Sequence, residues 1–183
     1  MSALLFGCSG PGVAENTPKL PRSTPPPIGD QPKVIAYGDS LTAGYGLETW
    51  EDSFPALLQK RLDADGYEFQ VLNYGQGGDT AKGGLARLDL ALGVAGIRIF
   101  ILELGANDVM KGLAADDIKS DLNEIIRRVK ERKVELLLCG FRPPPAVGSA
   151  YSASIERMYS DLANENAIAY MPDFMGGVRS DPN

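Results

Sequence analysis

Runs of apolar residues alternate with segments of helical periodicity from residue 33 onward. Five runs have the length of a strand and are almost continuously apolar, as in parallel strands buried on both faces; they cover residues 34–37, 69–73, 97–104, 134–139 and 167–171. Between them, apolar side chains recur every three or four residues, which predicts helices over 53–64, 80–92, 115–133 and 152–165. The alternation predicts an α/β domain of three layers, α/β/α, around a five-stranded parallel sheet.

The helix predicted over 53–64 shows the signals of both ends. Pro55 would lie in the first turn, where its missing N–H costs little, and Gly66 would end the helix. Its apolar residues share one face, which we expect to pack on the sheet; they are Phe54, Leu57, Leu58 and Leu62.

The chain before this domain has a different composition. Residues 9–32 are rich in Pro, Gly, Ser and Thr, including three consecutive prolines at 25–27. Such a segment buries no core and is typical of a solvated tether. We therefore divide the chain into an N-terminal tether, residues 1–32, and a single domain, residues 33–183.

The segment around Cys8 resembles a bacterial lipobox, with Leu5 three residues before the cysteine and Gly7 directly before it. It departs from the pattern because only seven residues precede Cys8 and none is basic, whereas a secretory signal carries a charged start and a longer apolar stretch. An incidental cysteine is the alternative. The resemblance implies a lipid-anchored protein of the bacterial cell envelope or periplasm if translation starts further upstream.

Composition excludes several classes of protein. The formal net charge of the 183 residues is −6 and no block of Lys or Arg stands out, which argues against a nucleic-acid partner. No stretch is long and apolar enough to span a bilayer. Two cysteines do not make a disulfide framework, and Cys139, inside an apolar run, is expected to be a small buried hydrophobic residue.

Candidate chemistry follows three of the predicted strands. Gly-Asp-Ser-Leu occupies 38–41, a glycine-rich segment occupies 73–80, and Gly-Ala-Asn-Asp occupies 105–108. Ligands of such sheets bind outside the carboxyl ends of the strands. Together the segments offer the hydroxyl of Ser40, the main-chain N–H of Gly78 and the side-chain amide of Asn107, which are the components of a nucleophile with an oxyanion hole. We expect the neutral amide to act as a donor that is not permanently paired with a carboxylate.

These three blocks, in this order, resemble those of the SGNH or GDSL-type esterase and lipase family, in particular its bacterial thioesterase, arylesterase and lysophospholipase branch. The resemblance extends from about residue 33 to the end of the chain. It implies a flavodoxin-like five-stranded parallel sheet and a serine esterase that needs no cofactor. The substrate would be a small acyl ester, a thioester or a lysophospholipid. By the same resemblance Ser40 is the nucleophile, and Gly78 and Asn107 contribute to the oxyanion hole.

The chain departs from the family in its last block, Asp-x-x-His, which supplies the base and its orienting carboxylate. The 183 residues contain no histidine, and Asp181 resembles the linker ahead of that block rather than the aspartate within it. We expect the sequence to be a fragment that lacks this block and a C-terminal helix covering the sheet near its first strand. Without a base for Ser40, the 183 residues alone are expected to be nearly inactive.

Each candidate residue also has a structural interpretation. Ser40 could cap a turn, Gly78 could serve only a turn, and Asn107 could cap a following helix. Two acids of the blocks, Asp39 and Asp108, are expected to hold neighbouring loops through main-chain hydrogen bonds.

Glu103, inside the third strand, is expected at a sheet edge or at a satisfied polar site.

Two other functions are open. A non-catalytic relative would bind an acyl or glycan ligand in the same cleft without hydrolysing it. A flavin or phosphate binder with the same sheet order is disfavoured, because Asp39 would repel phosphate where a binding loop is expected.

Overall fold

A computed structural model describes residues 31–178 and contains one five-stranded parallel sheet. The strands are β1 (Lys33–Gly38), β2 (Gln70–Gly75), β3 (Ile97–Glu103), β4 (Glu135–Cys139) and β5 (Ala169–Met171). They are ordered β2-β1-β3-β4-β5, so β1 and β3 lie inside the sheet. The predicted parallel α/β architecture is confirmed.

Four of the six helices within residues 31–178 correspond to the predicted ones. These are α2 (Phe54–Ala64), α3 (Ala81–Leu92), α5 (Ala115–Glu131) and α6 (Ser149–Asn166). Two short helices, α1 (Ser40–Ala43) and α4 (Ala106–Met110), directly follow β1 and β3. Short 3₁₀ turns lie at Trp50–Asp52 and Pro145–Val147. A helix of one turn contains too few residues to show periodicity, which is why α1 and α4 were absent from the predicted elements.

The sheet separates a large core from a small one. The large core includes Phe100 and Leu102 of β3 and the buried stripes of α3, α5 and α6. The small core lies on the opposite face, where Val34, Ile101 and Cys139 are buried and α2 supplies half-buried side chains. Cys139 is a free thiol in this packing, as expected.

The predicted apolar face of α2 is only partly correct. Leu58 and Phe54 pack against the small core, but Leu57 is 49% exposed, so its assignment to the buried face is wrong. Residues 57 and 58 point about 100° apart around a helix, and only the side chain at 58 contacts the sheet side. The signals at the ends were correct: Pro55 lies in the first turn, and Gly66, just beyond the helix, has a φ of +79°.

Some expectations concern residues outside 31–178. Most of the tether, the lipobox-like segment with Cys8, and Asp181 all lie outside the described residues. Within the described range, none of the helices combines the length and the apolar character needed to cross a membrane.

Candidate active site

Ser40 begins a helical turn directly at the carboxyl end of β1. Asp39 caps this turn, because its carboxylate accepts the N–H of Leu41 at 2.9 Å and its main-chain oxygen accepts the N–H of Ala43 at 2.9 Å. Gly44, with a φ of +82°, ends the turn after Ala43. Residues 40–43 are therefore helical, and Thr42 is fully buried.

Glycines at the ends of β1 and β2 allow α1 to lie against the sheet. A Cβ atom on Gly38 would come within 2.0 Å of the Thr42 hydroxyl and 2.5 Å of the Glu103 carbonyl oxygen. A Cβ atom on Gly75 would come within 2.1 Å of the main-chain nitrogen of Ala43. Larger residues at either position would push α1, and Ser40 with it, away from the strands.

Glu103 lies beneath this turn and is bonded to it twice. Its carboxyl group accepts the Thr42 hydroxyl at 2.7 Å and the N–H of Asp39 at 3.3 Å. Of the two expected locations, the satisfied polar site is correct and the sheet edge is wrong, because β3 lies between β1 and β4. Burial, and next the charge of Asp39, raise the pKa of Glu103 to about 8.

Asn107, in the third block, is hydrogen-bonded to residues of the first and second blocks. Its amide nitrogen donates to the Asp39 carboxylate at 3.0 Å and to the Asp79 carbonyl oxygen at 2.8 Å. The expectation that this amide is not paired with a carboxylate therefore differs from the structure. The reason is its position: α4 brings Asn107 between two acceptors, and an amide has only two N–H donors. An incoming oxyanion would have to share or replace one of these bonds.

Gly78 lies on the surface of the loop that Asn107 contacts. Its φ of +79° is in the left-handed region, which favours glycine, and open space surrounds the position of a Cβ atom. Within residues 31–178, the main-chain N–H groups of Ser40 and Gly78 have no hydrogen-bond acceptor. Two unpaired donors therefore border the loops that meet at Asn107.

Two aspartates of the blocks, Asp39 and Asp108, hold neighbouring loops in place. Asp108 accepts the N–H of Ala81 at 2.9 Å and so fastens α4 to the start of α3. With the Asp39 cap, this confirms that Asp39 and Asp108 hold neighbouring loops through main-chain hydrogen bonds. Burial raises the pKa of both carboxyl groups.

Arg87 was not among the predicted site residues. It extends from α3 beneath the loops, and its side chain is only 15% exposed. A sequence signal for it existed: Gly84, Leu88 and Ala91 form a buried helical stripe, and Arg87 lies on the same stripe. A basic residue on an apolar stripe needs buried acceptors, and the two strand ends supply them.

The arrangement can bind developing negative charge next to a hydroxyl group. Ser40 supplies the hydroxyl, unpaired N–H groups stand at Ser40 and Gly78, and Asn107 carries a side-chain amide. The structure thus brings all three candidate residues to one end of the sheet, while their catalytic roles stay predictions. Within residues 31–178, no group of three or more His, Cys, Asp or Glu residues is arranged to hold a metal ion.

The sequence model of the GDSL-like Lipase/Acylhydrolase family matches residues 36–178, which contain all three blocks. The chain belongs to this family. By family it is a carboxylic ester hydrolase, and the resemblance stated from the three blocks is confirmed.

Curated relatives agree with this membership. Esterase TesA of Pseudomonas aeruginosa is 35% identical over 145 residues, covering 79% of this chain and 72% of TesA. An arylesterase of Vibrio mimicus is 35% identical over 150 residues, covering 82% and 74%. Thioesterase 1/protease 1/lysophospholipase L1 of Escherichia coli K12 is 33% identical over 149 residues, covering 81% and 70%.

Solved structures also agree. AlinE4, an SGNH-hydrolase family esterase, superposes with a TM-score of 0.80 at 34% identity and covers 85% of this chain and 82% of its own. The psychrotrophic esterase EstA from Pseudoalteromonas, in a structure of the enzyme inhibited by monoethylphosphonate, superposes with a TM-score of 0.76 at 26% identity, and the match covers 81% of each chain. The chain therefore has the α/β fold of SGNH hydrolases.

Proposed function

We propose that the protein is a serine esterase that forms an acyl-enzyme at Ser40. The proposal rests on the position of Ser40 at the end of an internal strand. The main-chain N–H of Ser40 is unpaired within the described residues. Asn107 links the Ser40 turn, through Asp39, to the loop that contains Gly78. In the proposed reaction, the Ser40 oxygen attacks the acyl carbon and the alcohol or thiol leaves with a proton. Water then hydrolyses the acyl-enzyme and restores Ser40.

The proposed oxyanion hole consists of the N–H groups of Ser40 and Gly78 and the side chain of Asn107. The two main-chain donors need no rearrangement because they are unpaired within the described residues. Asn107 would exchange its bond to Asp39 for one to the oxyanion. This exchange costs less than the loss of a buried bond, because the N–H of Leu41 remains bonded to Asp39.

We propose acyl esters, thioesters or lysophospholipids as substrates. The segment after α1 exposes large apolar side chains at Tyr45 (68%), Leu47 (42%) and Trp50 (37%), and the segment after Asn107 exposes Met110 (64%) and Leu113 (40%). Apolar groups in the two loops that border Ser40 and Asn107 would favour an acyl chain over a polar substituent. The activities in the names of the relatives are of the same kind.

The 183 residues by themselves are proposed to be nearly inactive. They contain no histidine, the usual base for a serine nucleophile. The carboxyl group next to Ser40 belongs to Asp39, which already accepts hydrogen bonds from Leu41 and Asn107. In subtilisin, removing the histidine alone lowers kcat by about 2 × 10⁶.

The test compares the 183-residue chain with the complete gene product, including whatever the gene encodes on either side. We expect the complete product to hydrolyse p-nitrophenyl esters, Ser40→Ala to abolish hydrolysis, and Asn107→Ala to lower kcat by about 10²–10³. A phosphonate ester should transfer its phosphonyl group to the Ser40 oxygen alone, with loss of its leaving group and the serine proton, and peptide mass spectrometry should locate the added phosphonyl mass. Ser120→Ala on the exposed face of α5 is the matched control. Unchanged turnover in Ser40→Ala would refute the proposal.

A non-catalytic relative is the second candidate; it requires that the complete gene product also lack a base for Ser40. It predicts that the complete gene product binds an acyl ligand with no turnover and no phosphonate adduct. Calorimetric titration with a lysophospholipid, alongside the ester assay, separates the two functions.

We also propose that Cys8 is lipid-modified and anchors the protein in the bacterial cell envelope. The support is the lipobox-like segment and the tether composition behind it. In the complete gene product, Cys8→Ala should move the protein from the membrane fraction to the soluble fraction. Unchanged fractionation would refute this.

A further inference from the structure

Arg87 uses three of its donor groups within the candidate site. Nη2 donates to the Gly38 carbonyl oxygen at 2.9 Å, Nη1 to the Tyr74 carbonyl oxygen at 2.8 Å, and Nε to the Asp79 carboxylate at 2.5 Å. The first acceptor lies two residues before Ser40, and the third lies one residue after Gly78. One side chain thus binds the ends of two strands and the loop between Gly78 and α3.

The guanidinium group is itself held in place. It lies over the Tyr37 ring, with its central carbon 4.2 Å from the ring centroid. The Tyr37 hydroxyl donates to the Gly84 carbonyl oxygen at 2.5 Å, so the ring is fixed to α3, the helix that carries Arg87. A planar guanidinium group stacked on a ring presents its donors in fixed directions.

The contacts of Arg87 extend to Asn107 through Asp79. Arg87 holds the side chain of Asp79, and the main-chain oxygen of the same residue accepts the amide of Asn107. Displacement of Asp79 would therefore move an acceptor of Asn107 and the neighbouring N–H of Gly78 together. Displacement of Gly38 would move the strand end that precedes Ser40.

We propose that Arg87 is a positioning residue that sets the separation between the Ser40 turn and the Gly78–Asn107 oxyanion site. The inference rests on the proposed esterase function. In the proposed reaction Arg87 touches no reacting atom. Arg87 acts through its contacts with Gly38, Tyr74 and Asp79. An ammonium group cannot reproduce the three directions, because Lys offers one nitrogen on a flexible chain.

The test uses Arg87→Met and Arg87→Lys in the complete gene product. Arg128→Met is the matched control: Arg128, on α5, pairs with Asp89 of α3, the helix that carries Arg87, so this variant also removes an ion pair from that helix. With p-nitrophenyl esters we expect both Arg87 variants to lower kcat by about 10², since a displacement of about 1 Å has that effect. KM should change little, because the lost interaction supports the transition state. Added guanidinium, below denaturing concentrations, should partly restore kcat in Arg87→Met.

A second measurement does not depend on activity. Amide hydrogen exchange should accelerate in residues 38–44 and 75–80 of Arg87→Met, and in neither segment of Arg128→Met. Esterase activity unchanged in both Arg87 variants, or unchanged exchange in these segments, would overturn the proposal. If the wild-type protein shows no hydrolysis, the esterase proposal fails and the exchange experiment alone decides whether Arg87 holds the two loops.

Discussion

One face of the sheet packs against α3, α5 and α6, whereas within residues 31–178 the other packs against α2 and a segment containing Phe174. Among the described residues, the first face belongs to a core of 23 buried residues and the second to a core of three. Along β3 the side chains alternate between them: Phe100 and Leu102 are completely buried, while Ile99 on the other face is only partly buried. The same strand therefore contributes unequally to stability on its two sides.

The less covered face also carries the polar residue beneath the Ser40 turn, Glu103. Glu103 continues the row of Ile99 and Ile101, because side chains two apart in a strand share a face. It pairs in register with Cys139, and burial, with the charge of Glu103 second, raises the pKa of that thiol to about 12. The well-covered face supplies Arg87 from the opposite side. The two faces of the sheet therefore differ in how many apolar side chains cover them, yet residues on both faces contribute to the candidate site.

The largest effect is expected from matched Leu→Ala substitutions on the two faces. Leu122 of α5 is fully buried, so Leu122→Ala should lower the free energy of unfolding by about 3–5 kcal/mol. Leu58 of α2 is half-buried, so Leu58→Ala should cost about 1–2 kcal/mol, since less apolar area is lost. Urea unfolding of both variants measures the difference. Equal costs would show that the faces are equally well packed.

The pH dependence of stability tests the buried acid on the less covered face. Because the folded pKa of Glu103, about 8, lies above its ordinary 4.5, its protonation stabilises the fold at low pH. This contribution is complete below about pH 4.5 and is lost as the pH rises through about 8. Relative to Glu103→Gln, the wild type should lose roughly 3 kcal/mol of unfolding free energy between pH 5 and 8.

The exposed substitution Glu135→Gln on β4 serves as the control for this series, and urea unfolding at each pH gives the profile. A wild-type profile parallel to that of Glu103→Gln would show that Glu103 titrates in the folded protein as it does in the unfolded chain.

A smaller effect is expected from added volume at the junction of the two faces. Gly38→Ala would place a methyl group against Thr42 and the main chain of Glu103, and should cost about 1–3 kcal/mol. Gly77→Ala is the control, because its Cβ atom would have open space. Thermal unfolding compares the two. If both variants melted alike, α1 would not be closely packed on the sheet.

Periodicity alone was sufficient for the sheet and the four long helices. Apolar runs and stripes reflect burial directly, and the stripes of α5 and α6 are buried as their spacing indicates. The three glycine-containing blocks identified Ser40, Gly78 and Asn107 as candidates, and parallel strands of this kind bring their carboxyl ends to one edge of the sheet.

Only the tertiary structure decided how these candidates are held. The bonds of Glu103 to the Ser40 turn span more than 60 positions, and those of Arg87 join two strands and a loop. The acceptors of Asn107 come from the other two blocks. A local pattern reports which side chains are buried, but not which partner satisfies a buried polar group, because that partner is distant in sequence and is set by the packing of strands and helices.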